Sequence, residues 1–511
     1  MHPTAGSWST RMGRARRTAV LVGAGGLALV SASPTAAQVS VNPLPVGQHA
    51  VSEARPAAQA PGLTLADAMQ RADAGAYANR IASGEARVQA GEGMRAWQGV
   101  LPTVRLESGY ARTTDPIGAF GTTLRQRTIT QQDFDPARLN FPDATPNYTG
   151  ALILEQPLVN VDAWLGRRAA SQATRARESA AAWTSLDTRV DVVRAYYGAV
   201  LAAERVLTLE TGLAAARGHV RQAESLVAQG MATRSDALLA QVRAGEIETQ
   251  LIEARGDASL AKRQLAVLFG APEDTVFTLP VQLPTSERVR ALDDIAPAGA
   301  LPAAADDAPQ MASAALRADV QAAQAGHAAA RADVRRARSV WLPRLNGMAR
   351  YDWNSPDAPY DGLENWSIGV VASWTPFAGA SQLAGLRAAA GREQVARAQA
   401  EAARAQAELD IAQQANAWNV ALERLRIADE AVEQSVEAHR IVTRKYEGGL
   451  AAVVELLGAS AAETEARLRR SHARWDAIAR AAERLQSLGL DPALLAGWET
   501  GSPDRGDGTD S

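Results

Sequence analysis

Three landmarks recur at one spacing along this chain: Pro157 and Pro376 (376 − 157 = 219), Gly230 and Gly449 (449 − 230 = 219), and Gly270 and Gly489 (489 − 270 = 219). A constant offset over such a distance means that two halves share element lengths residue for residue. Each half reads as a helix, a strand, a connection, a second strand, one very long helix, a tight turn and a further helix. The predicted helices cover about 64–98, 159–229 and 234–269 in the first half, and about 308–340, 378–447 and 452–488 in the second. Pro157 and Pro376 stand just ahead of the long helices, where a missing N–H costs little. Gly230 and the Gly448-Gly449 pair stop them at the far end. A helix of about 70 residues is on the order of 100 Å long, at 1.5 Å per residue. Helices of that length exceed any globular domain, so they must run side by side in a bundle or cylinder.

The apolar pattern agrees. Ile411, Ala415, Trp418, Leu422, Leu425, Val432 and Val436 recur at alternating steps of four and three, a heptad seam. Asp429 fills the vacancy in that seam, and Glu210 is its counterpart in the first half. Two readings stand for this pair: acids lining a water-filled lumen, or solvated charges interrupting a coiled-coil face.

Strands are predicted near Val104 to Thr113, Tyr148 to Gln156, Leu345 to Trp353 and Trp366 to Thr375. In the last, Trp366, Ile368, Val370, Ala372 and Trp374 share one face, while Ser367, Gly369, Ser373 and Thr375 share the other. Aromatics at both ends with a wet opposite face is the pattern of a membrane barrel strand. Leu345, Ala349, Tyr351 and Trp353 can face lipid likewise. In the first half Tyr148, Leu152 and Leu154 alternate well, whereas the offset of 219 turns Thr149, Ile153 and Glu155 outward, so that register stays open. An open sheet would leave unpaired backbone in lipid, so a membrane sheet must close. Four strands cannot close, and the chain must pool its strands with other copies. The alternative is a soluble periplasmic coiled-coil scaffold or adaptor with two ordinary hairpins.

The first residues read as an export signal. Arg11, Arg14, Arg16 and Arg17 precede the apolar run Thr18 to Ala32, and Thr35-Ala36-Ala37 offers small residues for cleavage. No later segment is apolar enough to span a bilayer as a helix. The chain has no Cys, so disulfides, thiolate metal sites and a lipid-anchored N-terminal Cys are excluded. A net charge of −3 supplies no basic excess for nucleic acid. Gly23-Ala24-Gly25-Gly26 lies inside the signal and has no strand before it, so it is no nucleotide loop. His219, His327, His439 and His472 lack the i, i+4 partner of a zinc helix and are expected to be solvated surface residues. No cofactor, metal or catalytic set is indicated, and an enzyme is the least favoured class.

The repeated order, the Leu101-Pro102 and Leu342-Pro343 pairs before the first strands, and the proline before each long helix resemble the outer-membrane efflux proteins of the TolC family. So do the turns Gly230-Met231-Ala232-Thr233-Arg234-Ser235-Asp236 and Gly449-Leu450-Ala451-Ala452-Val453-Val454-Glu455, each with a glycine, an apolar residue and an acid six positions after the glycine. Leu63-Thr64-Leu65-Ala66-Asp67-Ala68 is similar to the family's first-helix start. The resemblance covers residues 63 to about 490. It implies an α+β membrane protein: long antiparallel helices in a coiled-coil barrel, two structural repeats, and four transmembrane β-strands per chain closed as a trimeric barrel. It also implies a passive exit duct for efflux or type I secretion across the periplasm and outer membrane of a Gram-negative bacterium. The partners implied are two further copies, a periplasmic adaptor, an inner-membrane transporter and outer-membrane lipid, with no nucleic acid.

On this basis the expected divisions are a signal peptide 1–37, a linker 38–62, a first repeat 63–270 with hairpin 103–157, an equatorial segment 271–307, a second repeat 308–489 with hairpin 344–376, and a tail 490–511 with a disordered end. Residues 114–146, polar and rich in turn formers, are expected to form the main extracellular loop. The resemblance also places Gly230, Met231, Gly449 and Leu450 at adaptor-contacting turns. Asp236 and Tyr446 become a gate pair, with Glu455, Arg234 and Arg444 as further gate candidates. Two departures from the family pattern fall here, since Gly458 stands where some members have a second acid and Ala451 where they have an arginine.

Overall fold

The computed structural model describes residues 62–272, 275–294, 314–359 and 361–499. The expected export signal, the linker up to residue 61, part of the equatorial segment and the end of the tail lie outside them. The longest elements are α5 (Val161–Ala228), of 68 residues, and α9 (Ser381–Glu447), of 67. Each turns back into a 35-residue partner, α6 (Arg234–Leu268) and α10 (Val453–Ser487). Shorter helices α1 (Leu65–Gly75), α2 (Tyr77–Arg95) and α8 (Ala318–Ser339) pack along the long ones, and α10 of the second half packs on α5 of the first.

Glycine ends these helices, and it does so identically in both halves. Gly230 and Gly449 have φ +73° and +72°, and Gly270 and Gly489 have +71° and +74°. At Gly230 the glycine N–H donates to Val227 O and the Met231 N–H to Leu226 O; at Gly449 the acceptors are Tyr446 O and Lys445 O. The same pair of bonds recurs at Gly270 and Gly489. These are Schellman closures, which need a left-handed residue and hence a glycine.

The first helix, expected to run unbroken over 64–98, is interrupted. Ala76 takes φ −56° and ψ 132° between α1 and α2. Gly75 and Gly270 approach backbone to backbone there: a Cβ on Gly75 would lie 2.2 Å from Phe269 O, and one on Gly270 would lie 2.2 Å from Gly75 O. The second half breaks at Arg317, with φ −63° and ψ 137° just before α8, where Gly489 packs against it. Alanine is the best helix former, so local propensity carries no mark of this break. Around these breaks lies the main core. Leu65, Val193, Tyr196, Trp418, Leu425, Ile478 and Leu485 pack with Phe277, Leu283, Val289 and Leu292 of the equatorial segment, which includes α7 (Ser286–Arg290). A short helix α11 (Leu494–Glu499) follows Gly489 and adds Leu495 to the same core.

Strands β1 (Thr103–Thr113), β2 (Thr145–Val159), β3 (Arg344–Ala358) and β4 (Asp361–Ser373) form one antiparallel sheet in the order β1-β2-β3-β4. The register left open by the sequence is settled by cross-strand pairing. Leu152 pairs with Leu106 and Tyr351, and Leu154 with Val104 and Ala349, while Trp366 pairs with Tyr351 and Ile368 with Ala349. Tyr148, Leu152 and Leu154 therefore share the face of Trp366, Ile368 and Val370. The offset of 219 fails inside the strand because a register shift lies between Pro157 and Val159. One extra residue at a bulge exchanges the two faces.

The two hairpins end differently. β3 and β4 are joined directly at Ala358 and Asp361. The stretch between β1 and β2, expected as a polar loop, contains α3 (Pro116–Arg125), a 3₁₀ turn Gln131–Phe134 and α4 (Pro136–Asn140). Asp115 caps α3 by accepting from Gly118 N at 2.6 Å. Buried Gln126 donates to Pro146 O and Asn147 Oδ1, and Asn147 donates to Asn354 Oδ1 of β3. Arg127 donates to Glu364 O at 3.2 Å, so the connection is tied to the second hairpin.

Candidate functional site

Three regions carry exposed or charged features that helix and strand formation alone do not require: the sheet, the belt around the helix breaks, and the turns at Gly230 and Gly449.

On the sheet, one face is apolar across all four strands. Val104, Leu106, Tyr110, Leu152, Leu154, Trp366, Ile368 and Val370 lie on it, with exposures from 39% at Leu154 to 74% at Ile368. Tyr110 and Tyr148 stack with ring centroids 4.7 Å apart, and Trp374 donates its indole N–H to Trp341 O. The other face is polar: Arg105 pairs with Glu155 at 3.8 Å and Arg350 with Asp352 at 2.7 Å. β1 and β4 each have a neighbour on one side only. Apolar patches this wide are uncommon on monomeric soluble proteins. Among the described residues no helix is long and apolar enough to cross a membrane.

In the belt, Glu204 of α5 is buried. It accepts from Arg474, from Ser471 Oγ at 2.6 Å and from Leu283 N at 2.7 Å, and Arg474 also donates to Leu283 O and Pro284 O. This ion pair fastens the equatorial segment to helices of both halves. Buried Arg317 pairs with Asp319 and Asp410, donates to Ser487 O and lies over the Trp183 ring at 4.5 Å. Asp293 accepts from Arg484 at 2.8 Å and from Trp418 Nε1, and the Arg484 bond leads in holding its pKa below the ordinary carboxylate range. Apart from Trp418, read only as a seam residue, sequence reasoning named none of these residues, because most of the bonds join positions far apart in the chain. The two acids it did single out are both engaged. Asp429 accepts from Ser286 Oγ at 2.7 Å and pairs with Arg290, and Glu210 pairs with Arg255 at 2.8 Å.

At the turns, Met231 and Leu450 are the most projecting apolar side chains, 66% and 83% exposed. Thr233 and Asp236 form a capping box, in which Asp236 accepts from Thr233 N and Oγ1 and the Asp236 N–H donates to Thr233 Oγ1. These bonds depress the Asp236 pKa, the backbone bond most. Tyr446 is buried among Ala223, Ala237, Ala240, Val453, Leu456 and Leu457. Its hydroxyl makes no hydrogen bond, and its pKa is raised by burial first and by the charge of Asp236 second. The structure thus brings Asp236 and Tyr446 close without bonding them. Glu455 is exposed at the start of α10, whose N-cap Ala452 makes no side-chain bond. Arg234 and Arg444 are exposed and make no ion pair among the described residues.

His472 is exposed, as expected of a surface residue, whereas His219, His327 and His439 are half-buried and depart from that expectation. His327 Nε2 bonds Glu393 at 2.8 Å, His439 Nδ1 bonds Glu463 at 2.6 Å, His472 lies against Trp475, and His219 faces His439. Burial and the neighbouring His439 lower the His219 pKa.

Known proteins share this architecture. The outer-membrane protein VceC of Vibrio cholerae superposes with TM-score 0.66 at 20% identity, over 83% of this chain and 96% of that one. The open state of MtrE from Neisseria gonorrhoeae gives 0.64 at 18% identity, over 84% and 89%. The alkaline protease secretion protein AprF of Pseudomonas aeruginosa is 27% identical over 308 residues, 60% of this chain and 59% of AprF. The model of the outer membrane efflux protein family matches residues 80–271 and 310–489. With both halves of the long-helix architecture so matched, the chain belongs to the outer membrane efflux protein family.

Proposed function

We propose that the chain is one third of a passive duct that crosses the outer membrane and reaches into the periplasm. The apolar face that runs unbroken over four strands between two open edges carries this reading. In hydrocarbon every backbone N–H and C=O must be paired, so β1 of one copy has to meet β4 of another. Three copies supply twelve strands, with Trp366, Ile368 and Leu106 toward lipid and Arg105, Glu155 and Arg350 toward a wet interior. Below the sheet, the paired long helices continue the wall through the periplasm, and the Glu204–Arg474 belt keeps the segment around their middle in place. Lacking Cys, the chain is held by its strands and by no N-terminal lipid.

The turns at Gly230 and Gly449 form the inner mouth in this reading. Met231 and Leu450 offer exposed apolar contacts to a periplasmic adaptor, through which an inner-membrane transporter delivers cargo. Asp236 and Tyr446 bias the mouth toward closure if a neighbouring copy's approach lets the phenol reach a carboxylate. A hydrogen bond to a charged group contributes about 1.5–3 kcal/mol, which three copies can hold and a transporter can overcome. The Glu210 and Asp429 ion pairs lie away from this mouth.

Mass measurement in detergent tests the architecture: a trimer with high strand and helix content is expected, and a stable monomer extracted without detergent would favour the soluble scaffold instead. Surface protease on intact cells should reach the 114–144 connection, and cleavage only after the outer membrane is broken would reverse the orientation. Asp236→Ala and Tyr446→Phe should each raise open probability in planar bilayers. Variants as shut as the parent would remove this pair from the gate.

A further inference from the structure

His219 of α5, His439 of α9 and Glu463 of α10 converge from three helices and from both halves of the chain. The two imidazoles have ring centroids 5.9 Å apart and planes inclined at 70°. His439 Nδ1 bonds Glu463 Oε2 at 2.6 Å, and Glu463 is itself held by Arg467 Nε and Nη2 at 2.9 and 2.6 Å. A carboxylate placed this way keeps the His439 proton on Nδ1 and leaves Nε2 with a free lone pair. That Nε2 and the Nε2 of His219 are both buried, and neither makes a hydrogen bond. Buried ring nitrogens without partners are uncommon in folded proteins, and one on each of two adjacent rings points to a shared ligand.

A neutral imidazole can turn a lone pair to either ring nitrogen, and the ligand that would take one from each ring is a cation. Zn–N bonds of ~2.0–2.1 Å put the centroids of two imidazoles on one ion about 5–6.5 Å apart, according to the N–Zn–N angle, and the observed spacing falls within that span. Beside His439 lies a cavity of about 300 Å³ with room for water, lined also by Thr211 and Thr464 and by two acids, Glu204 and Glu463, that balance the charges of Arg467 and Arg470. Among the described residues no three His, Asp or Glu side chains are grouped to enclose an ion, so protein ligation here is limited to the two imidazoles.

We propose that Nε2 of His219 and Nε2 of His439 bind one borderline transition-metal dication, of which Zn²⁺ is the type, with cavity water completing the shell. Glu463 is the positioning residue that orients His439 from behind. His219 lies about three turns before Gly230, so a bound ion would fasten the first-half hairpin of helices to the second a short way above the turns.

The test is titration of the full-length, detergent-solubilised protein with Co²⁺, followed by its visible absorption, and with Zn²⁺ by calorimetry. One ion per chain is expected. His219→Ala and His439→Ala should each weaken binding at least tenfold, and Glu463→Gln should weaken it by about 10–100-fold while leaving the stoichiometry at one. His327→Ala, whose imidazole faces Glu393 elsewhere, should titrate as the parent does. Zn²⁺ should also raise the thermal midpoint of the parent and leave that of the His219→Ala/His439→Ala double variant unmoved. Where alanine compromises folding, His219→Gln and His439→Gln retain most of the side-chain volume and must show the same loss. Equal binding by the parent and the double variant, or no binding by the parent, overturns the site.

Discussion

At the Gly230 turn of the first half, Thr233 and Asp236 exchange hydrogen bonds across the start of α6, whereas at the equivalent Gly449 turn of the second half Ala452 caps α10 with no side-chain bond. The backbones there are the same, with φ +73° at Gly230 and +72° at Gly449. At the helix breaks the asymmetry is reversed: Ala76 contributes only a kink, and its counterpart Arg317 contributes a buried guanidinium with two carboxylates and a tryptophan. The two halves thus keep one set of backbone turns and fasten them with different side chains. Left-handed glycine and its Schellman bonds are local and survive duplication unchanged, while ion pairs depend on neighbours that differ between the halves.

The comparison breaks hardest in the belt. Glu204→Ala leaves Arg474 buried without its carboxylate and should cost about 3–5 kcal/mol, read from denaturant unfolding of the purified protein. Asp429→Ala, which opens a more exposed pair with Arg290, should cost about 1 kcal/mol or less. Equal losses would mean that the belt is held by packing alone.

Next come the glycines. Gly489→Ala places its Cβ 3.6 Å from Arg317, an ordinary contact, so it should show only the left-handed strain of about 1–2 kcal/mol. Gly270→Ala must add to that the displacement of Gly75, and it should be clearly the worse of the two by thermal midpoint. If the pair prove equal, the backbone approach at Gly75 is not a constraint.

A smaller effect is expected at the caps. Thr233→Ala should cost about 1 kcal/mol, and Ala452→Thr, which lends the second turn the missing hydroxyl, should add up to about as much. Hydrogen exchange at the starts of α6 and α10 separates these local changes from global ones. No gain in protection in Ala452→Thr would show that Glu455 cannot complete a box.

The smallest effect concerns pH. The capping bonds lower the folded pKa of Asp236. Their stabilisation is therefore complete above the ordinary carboxylate range and is lost as pH falls through the depressed value. The difference in thermal midpoint between the parent and Thr233→Ala should shrink in acid. A difference that grows on acidification would contradict the capping box.

Much of this fold was legible in the sequence. Predicted helices at 159–229 and 234–269 meet α5 and α6 within two residues at each end, because proline, glycine and Schellman chemistry act over one helical turn. The acid six positions after Gly230 was singled out by the resemblance of this turn to the family pattern, and its bond to Thr233 is set by the same short range. Tyr446, Met231 and Leu450 lie beside the turns because each stands within a few residues of Gly230 or Gly449. The Glu204–Arg474 pair was not legible, since 270 positions separate its members and neither residue type is unusual on a helix.

By itself, then, the sequence determined the doubled order of elements, the lengths of the long helices and the apolar alternation of β4, all of which rest on periodicity and on residues that act within a few positions. Tertiary structure alone decided the rest. It chose the outward face of β2, because a bulge beyond Pro157 shifts parity and only pairing with β1 and β3 shows which residues align. It broke the first helix at Ala76, where the approach of Gly75 to Gly270 outweighs the preference of alanine for a helix. It folded the 116–140 stretch and tied it to β3 through Gln126 and Asn147, since buried amides must find partners wherever the chain brings them.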